Sequence, residues 1–301
     1  MRPIGIFTVI SIALLLSILT MSSKSYGHDK PPVLEGPYVG QKPPGSTPKS
    51  FAPSGLSTER RDHSGFFTPD MKEFYFTRRN NKDRKWSLIV FKSENNQWRE
   101  SLVGPRVGRP ILTPDGKTMH LGKHYKQRTE AGWSELKSLG PIFKDLRIMR
   151  LMSSSNGTYY FDDANESIPI RYSRLIDGKH EKPKAVNIDF GDWNAHPFIA
   201  PDESYLIWDE QGENGYGGAD LFISFRQKDN SWGAAINLGD TINTSDNENG
   251  ATVTPDGKYL FFNRFISNEN AGMQWVDAQI IETLRPKSLP KNKLSHASKK
   301  D

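Results

Sequence analysis

Three carboxylates stand where they could do chemistry together: Asp62, Asp192 and Glu248 each lie just before an apolar, strand-like run. A retaining glycosidase needs two such groups about 5 Å apart, and an inverting one needs them about 6.5 to 9.5 Å apart. The trio suits glycoside hydrolysis only if all three ring one funnel with open space between them. The second set is made of donors and an aromatic platform. His63, Arg109, Arg150 and His196 occupy comparable places before the strand-like runs, and Trp193 stands in Asp192-Trp193-Asn194-Ala195-His196. With Glu248 they form a polar set of mixed charge, which suits a concave recognition site better than bond cleavage.

Other chemistry lacks its motifs. The sequence holds no Gly-x-Ser-x-Gly elbow, no glycine-rich phosphate loop and no His-Glu-x-x-His helix. His120 and His124 share a short segment, and their spacing reads as incidental rather than metal-binding. The acidic stretch Asp209 to Asn214 lacks the regular spacing of a calcium loop and reads as a solvated turn. The basic run Arg78 to Lys85 reads as a solvated hairpin loop. No catalytic residue, cofactor or metal is therefore expected.

The elements that position the candidates come from one recurring turn. Thr68-Pro69-Asp70, Thr113-Pro114-Asp115-Gly116, Ser154-Ser155-Asn156-Gly157, Ala200-Pro201-Asp202 and Thr254-Pro255-Asp256-Gly257 recur at intervals of 41 to 54 residues. Proline pre-sets φ for the first central position, Asp or Asn favours the next, and glycine accepts a left-handed conformation after it. Asp and Gly are adjacent, so this is not the Asp box of sialidases, in which one residue separates them. Aromatic and branched runs follow each turn, such as Glu73-Phe74-Tyr75-Phe76 and Tyr259-Leu260-Phe261-Phe262. A third strand follows, read at Ile280-Ile281 in the last unit. A fourth is led by Trp98, Trp133 and Trp232 in three units, where the ring packs between blades.

Four antiparallel strands at a period of about 40 to 50 residues make a propeller blade. The fifth unit lacks a fourth strand, and Pro48 to Pro53 supplies a spare one. The expected fold is all-β: a five-bladed propeller closed by the N-terminal strand, which removes bare sheet edges. Six blades are the alternative. Counting back from each turn places His63, Arg109, Arg150, His196 and Glu248 around one mouth of the channel, with Trp193 beside them.

The ends complete the reading. Met1-Arg2, an uncharged apolar run from Ile4 to Met21 and Ser25-Tyr26-Gly27 form a signal-peptide pattern, with cleavage after residue 27. An uncleaved anchor is the alternative. No stable membrane span is expected after cleavage, and there is no cysteine for a lipid anchor or disulfides. Of the net charge of +5, the leader accounts for two positive charges and the tail from 286 to 301 for four, leaving residues 28–285 at −1. A near-neutral body lacks the basic footprint of nucleic-acid binding.

The Pro-Asp-Gly-Lys turns, Gly218 to Ser224, Trp232 to Asn243, the opening Tyr38 to Gly45 and the closing Trp275 to Ile281 together resemble the WD40-like repeats of TolB-type propellers, a group with secreted bacterial members. The resemblance covers Tyr38 to Pro286. It implies a binding or scaffolding propeller, often periplasmic, with no catalytic residues to carry over; TolB-type rings commonly have six blades. The expected organisation is a signal peptide at 1–27, an extended segment at 28–47, the propeller at 48–285 and a basic tail at 286–301. The expected function is non-enzymatic capture of an envelope protein or polar ligand in the periplasm or outside the cell. A glycoside-active hydrolase is the alternative.

Overall fold

The computed structural model describes residues 34–53, 61–80, 82–165, 170–212, 215–267 and 271–287. The leader at 1–27, the tail beyond 287, and Asn81, Glu213 and Asn214 lie outside the described residues.

The chain forms five antiparallel blades around an axis. Their innermost strands are Arg61–Phe67, Pro110–Leu112, Leu151–Ser153, Trp193–Ile199 and Asn247–Val253. Each runs from the mouth of the channel towards the recurring turn. There, the backbone N–H of Met71, Gly116, Gly157, Glu203 or Gly257 donates to the carbonyl three residues earlier, at 2.8 to 3.0 Å. These five residues all take left-handed φ, between 58° and 85°. In the Thr-Pro-Asp turns the threonine hydroxyl donates to the aspartate Oδ1 at 2.6 Å. The same carboxylate accepts the amide of the following lysine.

At Gly257 an added Cβ would meet nothing within 4 Å, so a side chain there is penalised by φ alone. Gly257→Val should therefore cost about 1 kcal/mol or more, because a β-branched residue resists positive φ. An unchanged melting temperature would contradict this assignment of the turn.

Closure follows the expected plan with a shift in register. Lys49–Ser50 pairs antiparallel with Gln274 and Trp275, and Phe51 N donates to the Met273 carbonyl at 2.9 Å. The third strand of the last blade is Ala271–Asp277, not Ile280-Ile281. Those isoleucines belong to a short helix, Gln279–Leu284. Asp277 Oδ1 accepts the amide of Gln279 at its start, and burial of Ile281 holds the turn against the sheet. Tertiary packing here overrides the strand preference of β-branched residues.

The recurrent tryptophans partly pack as expected. Trp133 donates through Nε1 to the Tyr75 hydroxyl of the preceding blade at 3.2 Å, and Trp232 meets Tyr160 edge-on. Arg128 and Arg226 lie over the Trp133 and Trp232 rings at 4.5 and 3.9 Å. Trp98 instead bonds the N-terminal segment, donating to the Gly36 carbonyl at 2.7 Å.

Candidate functional site at the channel mouth

The mouth is shaped by a bulge that recurs in the inner strands. In the first, fourth and fifth blades the pairing register shifts at His63/Phe66, Ala195/Phe198 and Asn249/Thr252. The residue in each bulge is left-handed: Ser64 at φ 58°, His196 at 49° and Gly250 at 65°. The shift frees each residue's N–H from its own ladder, and the preceding blade accepts it. Ser64 N donates to Asn263 Oδ1 at 2.9 Å, His196 N to Asp162 Oδ2 at 2.9 Å and Gly250 N to Asp209 Oδ1 at 3.0 Å. Asp162 Oδ1 also accepts the amides of Met149 and Arg150 at 2.8 and 2.9 Å. A non-glycine residue in this conformation is strained, and such strain concentrates at functional sites.

His196 is buried, and its Nδ1 lies 3.0 and 2.9 Å from the two Asp209 oxygens. A carboxylate only accepts, so Nδ1 carries the proton. Its Nε2 is buried without a hydrogen-bond partner, and so is Arg109 Nη1. Arg150 Nη1 lies 3.5 Å from the His196 carbonyl. A methyl group placed on Gly250 would sit 3.7 Å from Arg109 Nη1 and 3.8 Å from Arg150 Nη1, so both guanidiniums flank this one point.

Burial, reinforced by the Arg109 charge, pushes the Arg150 guanidinium down to about 10. Arg106 is likewise pushed down to about 10 by burial and by Arg109. Burial also lowers Arg109, against the opposing pull of Asp209 and Asp162. His63 is held well below its usual value by burial, with the charges of Arg109, Arg106, Arg61 and His196 adding to it. Its Nδ1 is engaged by the Ser64 and Thr77 hydroxyls at 2.8 and 3.0 Å, and its ring lies 4.3 Å from that of Trp86. Trp193 opens the fourth inner strand, 40% exposed, with its ring 6.4 Å from that of His196.

The structure thus gathers His63, Arg109, Arg150 and His196 around the axis, with Trp193 at the rim. Glu248 has a different environment. It is fully buried, and its oxygens accept from Thr244 Oγ1 and Arg264 Nε at 2.7 Å and from Thr244 N at 3.0 Å. Asp62 faces Arg78 at 2.9 Å, and Asp192 is exposed. Two of the three carboxylates considered for hydrolysis are therefore each matched to an arginine of their own blade.

Two expectations of solvated loops hold only in part: Lys82 to Lys85 are exposed around a turn, and Gln211 and Gly212 are exposed, but each run begins with buried strand residues. Asp209 and Glu210 are buried residues of the strand Tyr205–Gln211; Asp209 holds His196, and Glu210 accepts Trp208 Nε1 at 2.7 Å. Arg78 is a buried strand residue between Asp62 and Glu100. In both places the strand runs further than the charge-rich sequence suggested. Asp162, Asp209 and Asn263 are site residues that the sequence reading missed. Asp209 and Asn263 each lie seven positions after the turn aspartate, a periodicity that would have exposed them.

The two ends of the axis differ in character. At the turn face the axis holds a cavity of about 400 Å³ whose lining includes Phe66, Ile111, Met152, Phe198 and Val253. A separate cleft of about 870 Å³ lies between the third and fourth blades, and its lining includes Arg174, Arg226 and Arg285. Each of these arginines is paired, with Glu181, Glu203 and Glu282 respectively. Among the described residues, no group of three or more His, Cys, Asp or Glu converges as a metal site.

No protein-family profile matches the sequence. No curated protein matches it either. Solved structures do. TolB of Acinetobacter baumannii aligns at a TM-score of 0.42 and 14% identity, over 71% of this chain and 54% of TolB. The chain thus spans about half the length of that protein. A gluconolactonase of Xanthomonas campestris aligns at 0.47 and 9% identity, over 81% of this chain and 96% of its own. The catalytic domain of an α-L-arabinofuranosidase of Coprinopsis cinerea aligns at 0.47 and 8% identity, over 78% of this chain and 97% of its own.

Proposed function

We propose that this propeller is a non-enzymatic binding or scaffolding module that works outside the cytoplasm and captures a protein partner or polar ligand at the channel mouth. The observation that carries this reading is Trp193, an exposed aromatic platform beside His196, whose Nε2, like Arg109 Nη1, is a buried polar atom with no hydrogen-bond partner within the fold. A concave site with a few converging polar groups is the usual form of a ligand site. The pairing of Asp62 with Arg78 and of Glu248 with Arg264 supports binding over glycoside hydrolysis, which needs carboxylates facing open space. The signal-peptide pattern supports action in the periplasm or beyond.

The immobilised protein should retain a partner from envelope extract, and Trp193→Ala should abolish that retention without lowering the melting temperature. Lys228→Ala, in the exposed turn at the opposite face, should leave it intact. Retention unchanged in Trp193→Ala would move the binding face elsewhere. His196→Ala is a less clean probe, because removing the imidazole strips the buried Asp209 carboxylate of its Nδ1–H.

A further inference from the structure

We propose that the ligand of the mouth is a small oxyanion carrying at least two negative charges, clamped between the Arg109 and Arg150 guanidiniums. This rests on the mouth being the binding face and adds the chemical class of what binds there. The Arg109 and Arg150 Nη1 atoms flank the same point beside Gly250, the Arg109 charge bears on both Arg150 and Arg106, and the carboxylates that act on Arg109 and Arg150 are Asp162 and Asp209. Those two acids are already committed: Asp162 to three backbone amides, Asp209 to the Gly250 amide and to His196. Among the described residues, no ion pair joins Arg109 or Arg150 to a carboxylate, and Arg109 Nη1 has no partner at all.

Like charges set side by side in a buried site repel, and a buried donor left unsatisfied costs free energy. Both costs are relieved by one ligand type, an anion that accepts from two planar guanidinium forks at once. Two flanking cations favour a ligand with two or more charges over a halide or a monocarboxylate. The ligand must also be small, because Arg150 is buried and the anion itself has to reach it. Carboxylates and phosphates share this chemistry and differ in shape. Trp193 and the unpartnered His196 Nε2 lie beside the clamp and would meet the rest of the molecule.

Isothermal titration calorimetry of the purified protein at low ionic strength tests this, with citrate and orthophosphate as separate probes and galactose as the neutral control. We expect saturable binding of at least one anion, weakened at least tenfold in Arg109→Gln and unchanged in Lys228→Ala. Binding of citrate alone identifies a polycarboxylate site, and binding of phosphate alone identifies a phosphate-ester site. Should Arg109→Gln fail to fold, phenylglyoxal labelling of the wild-type protein gives the same answer, with modification of Arg109, mapped by mass spectrometry, slowed by the bound anion. Binding of galactose but neither anion, no heat with any probe at millimolar concentrations, or equal anion affinity in Arg109→Gln would each overturn the proposal. The first two results leave the Trp193-dependent capture to be judged by its own experiment.

Discussion

Replacing Phe51 by alanine should cost about 3 to 5 kcal/mol of folding free energy, the range for deleting a buried phenyl ring. Phe51 is 1% exposed, and its ring centroid lies 4.9 Å from Phe74 in the first blade and 4.8 and 5.1 Å from Phe261 and Trp275 in the last. It follows directly on Lys49–Ser50, the strand that completes the fifth blade. The substitution therefore removes the aromatic bridge between the two blades at the seam of the ring. Urea unfolding should show the loss as a lower midpoint, and hydrogen exchange should quicken first in Ala271–Asp277. Lys49→Ala, at an exposed position in the same strand, should stay within about 0.5 kcal/mol. A loss below about 1 kcal/mol for Phe51→Ala would mean that the seam is held by other contacts.

The second large effect is on acid stability, through His120. This imidazole is fully buried, both of its nitrogens lack partners, and the Tyr159 ring packs edge-on against it at 5.0 Å. Burial first, and the nearby His180 second, pull it down to about 3. In the unfolded chain it titrates near 6.5. As pH falls below that value the unfolded state takes up a proton that the folded state refuses. Stability is thus full above about pH 6.5 and declines by about 1.4 kcal/mol per pH unit on the way down. His63, also depressed, adds a loss of the same sign. The turn carboxylates Asp70, Asp115 and Asp256 are depressed as well, but their contribution is lost only below about pH 4, so the windows separate. His120→Phe should flatten the decline between pH 6.5 and 5 by about 2 kcal/mol, read as the difference between its unfolding curves and those of the wild type. Parallel pH profiles for the two proteins would show that His120 is not the titrating group.

The architecture was legible because the turn is a local device. Proline and the following Asp or Asn fix the chain reversal wherever they occur, and counting back from them reached His63, Arg109, Arg150 and His196 at the mouth. The same count reached Glu248, but its partners Thr244 and Arg264 come from the preceding loop and the neighbouring strand, and no count along one strand reveals them. Asp162 and Asp209 were missed for a related reason. An acid near the end of a strand reads as solvated unless one knows that the next blade presents a bulged amide to it. The Gln279–Leu284 helix was misread because two adjacent isoleucines favour a strand in isolation.

The seam also has a kinetic side. The Tyr38 hydroxyl donates to Asp256 Oδ2 at 2.7 Å across 218 positions of sequence. A contact of that separation raises contact order and slows folding, because the closure entropy must be met before the contact forms. At a synthesis rate of about 5 to 20 residues per second, a growing chain waits roughly 10 to 40 s between making Tyr38 and making its partner. Throughout that wait the opening segment has no last blade to join. Once the fifth blade is made, its Ala271–Asp277 strand stays an open edge until Lys49–Ser50 returns to it. An open edge is a template for pairing with another chain, so the hazard of this ring is concentrated in the interval before closure, when one nascent molecule can accept the strand of another.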